Sequence, residues 1–244
     1  MLAGAMVLTF ASPVCADPVS PAQVSEAPAH TDFSGVWEAA GIQFVVLPEV
    51  SGQLTEDAQR MADLAADQLV PQEDDPARFC VTKGMPWTML IRARNYPVEI
   101  VQYPDRLFMI FELWDQFRNI VVDGPPVPAN YPPSPNGWST ARWEGTTLVI
   151  ETRGLSELHP LGRFRRSEET VITERWSLRE DATFGQVIDV EMSVDDPVAY
   201  STPAIVRQVL KRSPEGVVPG GYNCAIAQWN DYVDARNTEM GIEY

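Results

Sequence analysis

From Asn95 to Lys211 apolar and polar positions alternate in short runs, broken repeatedly by proline, glycine and aspartate. That period of two is the signature of half-buried strands. Val98–Tyr103 and Leu107–Trp114 flank Pro104-Asp105-Arg106 and predict a hairpin, and Phe117–Val122 runs to a stop at Asp123-Gly124. Trp138–Trp143 and Thr147–Thr152 predict a second hairpin around Glu144-Gly145. Glu169–Leu178, Gln186–Val194 and Ala204–Lys211 complete the series. Upstream, Asp32-Phe33-Ser34-Gly35-Val36-Trp37 opens a strand expected to continue through Ile42 to Leu47. The one substantial helix is predicted over Thr55–Gln68. Thr55 serves as its cap, Glu56 and Asp57 favour its first turn, and Ala58, Met61, Leu64, Ala65 and Leu69 keep one apolar face.

Eight or nine antiparallel strands must hide their edges, and closure into a barrel does so. The expected fold is all-β, a lipocalin-like antiparallel β-barrel with one N-terminal helix, and an open two-sheet β-sandwich is the alternative. The barrel is expected to span 32–244 as one domain. The stretch from Pro125 to Pro135 holds too many prolines for a central strand. It is either a lid over the barrel mouth or a stiff surface connection.

Two further features concern the N-terminus and the cysteines. Leu2–Phe10 is apolar and Val14-Cys15-Ala16 puts small residues before Asp17, so 1–16 reads as a signal peptide and 17–31 as a flexible leader. Export is therefore expected, to the periplasm or beyond. Removing the signal leaves Cys80 and Cys224, an even pair that an oxidising compartment would join as a disulfide. No later apolar run has the roughly 20 residues needed to cross a bilayer. The 244-residue chain carries 34 acidic against 18 basic residues, a net charge of −16. Such a field repels phosphate backbones and anionic lipid, so neither nucleic acid nor a membrane surface is the expected partner.

The chemistry is narrowed mainly by what is missing. His30 and His159 are the only histidines, and no metal-ligand spacing or phosphate-binding glycine loop occurs, so no metal or cofactor is expected. Gly137-Trp138-Ser139-Thr140-Ala141 resembles a nucleophile elbow in letters, but prolines precede it and a hairpin follows, which makes Ser139 a strand or turn hydroxyl. Carboxylates and arginines within strands remain. Glu151 or Glu174 could act as a base and Arg118 or Arg175 could stabilise an anion, if the interior is hollow. Trp37, Met85, Glu99, Trp143 and Trp176 are the candidates for lining a pocket around a flat or apolar ligand. The competing reading has the charged groups pairing outward across strands and the tryptophans filling the core.

Several stretches together resemble a largely uncharacterised group of exported bacterial lipocalin-like proteins. They are Asp32-Phe33-Ser34-Gly35-Val36-Trp37, Gly84-Met85-Pro86 after Cys80, and Glu99-Ile100-Val101-Gln102 with Pro104-Asp105-Arg106. To these add Trp143-Glu144-Gly145 with Thr147-Leu148-Val149-Ile150-Glu151-Thr152, Ser167-Glu168 with Glu174-Arg175, and Asp195-Asp196-Pro197. The resemblance implies a barrel and export, and carries over no activity. Arg166 and Trp138 stand where histidine is expected in that group, and Thr146 where aspartate is expected. The function expected from these readings is binding of a small apolar or aromatic molecule in the barrel. The alternative is a cofactor-independent lyase, isomerase or hydratase using the same cavity.

Overall fold

Nine strands follow one another around a closed barrel in chain order. The computed structural model describes residues 30–46, 54–68, 80–90, 96–157 and 165–222, with 231 and 238. The signal segment, most of the leader and Cys224 lie outside the described residues. The strands are β1 (Gly35–Val46), β2 (Val98–Tyr103), β3 (Arg106–Phe111), β4 (Gln116–Val122) and β5 (Trp138–Glu144). They continue as β6 (Thr147–Arg153), β7 (Val171–Asp181), β8 (Gly185–Asp195) and β9 (Ala204–Arg212), and β9 pairs back onto β1. The closed all-β barrel agrees with the expected fold, and the sandwich alternative falls away. The helix α1 (Glu56–Gln68) is also where the sequence places it. The Thr55 hydroxyl accepts the Ala58 amide at 3.2 Å as its cap.

Two departures are informative. The predicted strand Leu107–Trp114 ends at Phe111 and gives way to a 3-10 turn at Leu113–Asp115. There Trp114 and Asp115 take φ of 59° and 48°, reversing the chain into β4. The second concerns pairing. Eight neighbouring pairs are antiparallel, but β4 and β5 run parallel. Parallel neighbours need a connection long enough to bring the chain back to its starting end. The proline-rich segment between β4 and β5 supplies it. It is a surface strap beside that seam: the Trp138 indole donates to the Pro125 carbonyl at 3.3 Å, and the Tyr131 hydroxyl to the Gly137 carbonyl at 3.1 Å.

The lumen is packed with side chains. Leu107, Met109, Ile120, Leu148, Ile150, Ile172, Trp176, Ile188 and Val206 alternate inward, each without accessible surface. A side chain that no water can touch borders no water-sized void. Each such residue contributes roughly 1.5–3 kcal/mol of burial. A remnant of about 20 Å³ lies between Trp37, Met89, Phe111 and Leu210, room for one water.

Both ends are stopped. At one, the buried Phe33 packs edge-on to Trp176 and parallel to Trp143, with centroids 5.8 and 5.9 Å apart. At the other, where β5 and β7 begin, the segment 83–90 is held by Arg166. Its Nη1 donates to the carbonyls of Lys83 (2.9 Å), Pro135 (3.1 Å) and Met85, and its Nε to that of Ser156 (2.5 Å). Burial pulls this guanidinium down to about 10, so it stays charged at neutral pH, solvated by backbone oxygens in place of water. Gly84 takes φ +66°, and a Cβ there would stand 1.9 Å from the Pro135 carbonyl oxygen. Gly84→Ala should therefore cost more than the roughly 1 kcal/mol of an average substitution. Thermal unfolding of the variant checks this.

Candidate functional site

The β4–β5 seam is short. Only Ile120, Val121 and Val122 pair with Ser139, Thr140 and Ala141. The first half of β4 therefore has no ladder partner on this side, and the strap stands off from it. A cleft of about 370 Å³ opens there, with Phe117, Arg118, Asn119, Tyr131, Trp138 and Ser139 among the residues that line it. Phe117 is 53% exposed and stacks on Phe108 at 5.4 Å, while Tyr131 meets Trp138 edge-on at 5.6 Å. The Asn136 amide donates to the Gln116 side-chain oxygen at 2.9 Å, and the Thr88 hydroxyl donates to Asn136 at 2.9 Å. These bonds tie the strap to β4 and to the end-stopping segment.

Behind the cleft lies the only ion pair of the described residues whose side chains are both almost fully buried. Arg118 is 2% and Glu174 0% exposed. Arg118 Nη2 donates to Glu174 Oε1 and, at 2.8 Å, to Thr152 Oγ1, while Nε donates to Ser139 Oγ at 3.2 Å. The Ser139 and Thr152 hydroxyls are 2.9 Å apart, and the Trp176 indole donates to Glu174 Oε2 at 3.1 Å. Arg118 Nη1 has no partner. Strand parity explains the placement. Ile120 and Val122 on β4, and Ile172 and Trp176 on β7, face the lumen, so Arg118 and Glu174 must face it too.

The four expected acid–base groups are divided between two faces. Glu151 is on the outer surface, paired with Arg153 at 2.7 Å, and Arg175 is there too, 2.9 Å from Glu144. Arg175 and Arg142 hold the Glu144 carboxyl below the usual carboxylate range. Glu174 and Arg118 face inward and are bonded to each other. Among the described residues the two sets therefore face opposite sides of the barrel wall.

Of the expected pocket residues, Trp37, Met85 and Trp176 are wholly inside the packed core. Trp143 is partly buried under His30 and Phe33. Glu99, also partly buried, has outward parity on β2 between the buried Val98 and Ile100. The residues that do line the cleft include Phe117, Tyr131 and Trp138, none of which the sequence reading counted among the pocket residues. A larger concavity, about 670 Å³, touches Arg175, Asp189, Glu191 and Arg207. Its charges are satisfied across strands: Arg207 to Glu191 at 2.8 Å and Arg179 to Asp189 at 2.6 Å. It is a solvated face of mutually paired ions.

No protein-family model matches the chain. Nor does any curated protein. The site is therefore read from its own geometry.

Proposed function

We propose that the protein is an exported, lipocalin-like barrel that binds a small apolar or aromatic molecule in the cleft beside the β4–β5 seam. The observation that carries this reading is the aromatic lining of that cleft, at the barrel's one parallel seam, whose ladder is only three residue pairs long. The packed lumen supports a site on the wall in place of the one the sequence reading expects within the barrel. A volume of about 370 Å³ is near the small end of ligand sites, which suits a one- or two-ring molecule. Phe117, Tyr131 and Trp138 supply flat apolar faces. An acid–base role gains no support from Glu174, since donors already occupy both its oxygens and no solvent reaches it.

Native mass spectrometry of protein purified from its own periplasm should find a small molecule bound at one per chain. Trp138→Ala should bind that molecule about tenfold more weakly, since loss of one aromatic face is worth about 1.5 kcal/mol. Undiminished binding by Trp138→Ala would remove the cleft from the reading. Export brings with it the Cys80–Cys224 disulfide, whose second member lies outside the described residues. Thiol labelling of the mature, unreduced, unfolded protein should detect no free cysteine, and two labelled thiols would refute the pairing.

A further inference from the structure

The Arg118 side chain turns into the lumen, so what β4 offers the cleft between Phe117 and Asn119 is its backbone edge. Hydrogen bonds at the end of the strand give the direction of each residue. The Val122 amide donates to the Asp105 carbonyl at 2.8 Å, on the β3 side, and the Asp123 amide to the Ala141 carbonyl at 2.7 Å, on the β5 side. Amides alternate between the two edges of a strand, so those of Phe117, Asn119 and Val121 point away from β3, toward the cleft and β5. The β5 ladder begins at the Ile120–Ser139 pair and reaches back no further than the Asn119 carbonyl. Among the described residues nothing accepts from the Phe117 and Asn119 amides. The Phe117 carbonyl has only a 3.5 Å contact from the Asn136 side-chain amide.

An open strand edge is a template for another extended backbone. Donors two residues apart, about 7 Å along a strand, match carbonyls at the same interval in any extended peptide. A simple hydrocarbon ring leaves both unused. The open stretch from Gln116 to Asn119 is roughly 13 Å long, which limits the added segment to about three residues. Its ends are marked by the ladder at Ile120 and by Asn136, bonded to the Gln116 side chain at 2.9 Å. Side chains of an added strand alternate as those of β4 do. Those turned toward the packed lumen must be small, and those turned outward lie beside Phe117 and Trp138.

We infer that the cleft takes a short extended peptide, an aromatic residue flanked by small ones, which adds to the open edge of β4 and accepts from the Phe117 and Asn119 amides. This rests on the reading of the cleft as the site of an aromatic ligand and names the class of that ligand. The main-chain bonds fix the peptide along β4, while Phe117, Tyr131 and Trp138 select its ring.

Three probes separate the two claims when titrated into the purified protein by ligand-observed NMR: N-acetyl-Gly-Phe-Gly-amide, N-acetyl-Gly-Ala-Gly-amide and ethylbenzene. The Phe peptide should bind about tenfold or more tighter than either of the others. Without peptide, the Phe117 and Asn119 amides should exchange hydrogen faster than those of Arg118 and Ile120, and a saturating Phe peptide should slow them about tenfold or more. Asn119→Pro removes a donor that no ladder bond uses, and in it the peptide's advantage over ethylbenzene should shrink about threefold or more. Ethylbenzene binding as tightly as the Phe peptide would overturn the added strand and leave the cleft as an apolar site. So would an undiminished advantage in Asn119→Pro, or exchange at Phe117 and Asn119 that the peptide leaves unchanged, a measurement that needs no variant. Equal binding of the two peptides would overturn the role of the aromatic walls. Failure of all three to bind would overturn the cleft reading itself, and the inference with it.

Discussion

Arg118→Met should destabilise the barrel by about 3–5 kcal/mol, because it leaves the Glu174 carboxylate buried without its cation. The double variant Arg118→Met/Glu174→Met should recover most of that loss, since replacing both partners of a buried pair by apolar groups is often neutral or favourable. Urea unfolding curves of the wild type, the two single variants and the double variant give the coupling directly. If the double variant proved as unstable as Arg118→Met, the quartet would contribute through packing and not through charge.

The second large effect belongs to Asp196, which is fully buried in the turn between β8 and β9. One oxygen accepts from the Ser167 hydroxyl at 3.0 Å and from the amides of Val198 (3.0 Å) and Ala199 (3.1 Å). The other accepts from the Ser167 amide at 2.6 Å and the Thr170 hydroxyl at 2.5 Å. Asp196→Ala removes all five bonds and should cost about 3–5 kcal/mol, chiefly through the Ser167 hydroxyl and the Val198 amide, because the Ser167 amide, Thr170 hydroxyl and Ala199 amide keep the Thr170 hydroxyl, the Ser167 carbonyl and the carbonyl of residue 196. The damage should spread to α1, because the Thr55 amide and hydroxyl donate to the carbonyls of Ala199 and Val198 at 3.0 and 2.8 Å. Hydrogen exchange should show faster exchange across residues 55–68 as well as at the turn. An unchanged helix would mean that its attachment does not depend on the turn. Asp196→Asn should fall between, since it keeps one acceptor oxygen but turns an amide toward groups that are themselves donors.

Period-two patterning and turn residues placed all nine strands and the helix, because both signals are local. The direction of β5 was not local. Whether the chain after Val122 pairs antiparallel or parallel depends on how far the strap carries it, and proline content alone sets no end point. The cleft was half legible. Once Ile120 and Val122 fix the inward face of β4, Phe117 must point out and Arg118 in, an inversion of the usual hydrophobic-in order. The same parity argument, applied to Ile172, Glu174 and Trp176, buries Glu174. What no parity supplies is the meeting of these two residues, 56 positions apart and on strands that are not neighbours. Asp196 illustrates the same limit. Ser167-Glu168 and Asp195-Asp196-Pro197 were each visible as motifs, but their union in one hydrogen-bonded turn needs the fold.

The closure of β9 onto β1 has a consequence in time. Glu38 and Lys211, ion-paired across that seam, are 173 positions apart, and β1 pairs with β2 only over Gly35–Trp37. Most of the first strand thus waits for the ninth. Contacts of such sequence separation must overcome a large loop entropy before they yield any stabilisation, so all-β chains of this kind fold in milliseconds to seconds. During synthesis the partial sheet has two unpaired edges until Ala204–Arg212 leaves the ribosome. A chain that completes its fold only at its last strand remains threadable for most of its synthesis, and it is exposed to edge-to-edge association for just as long.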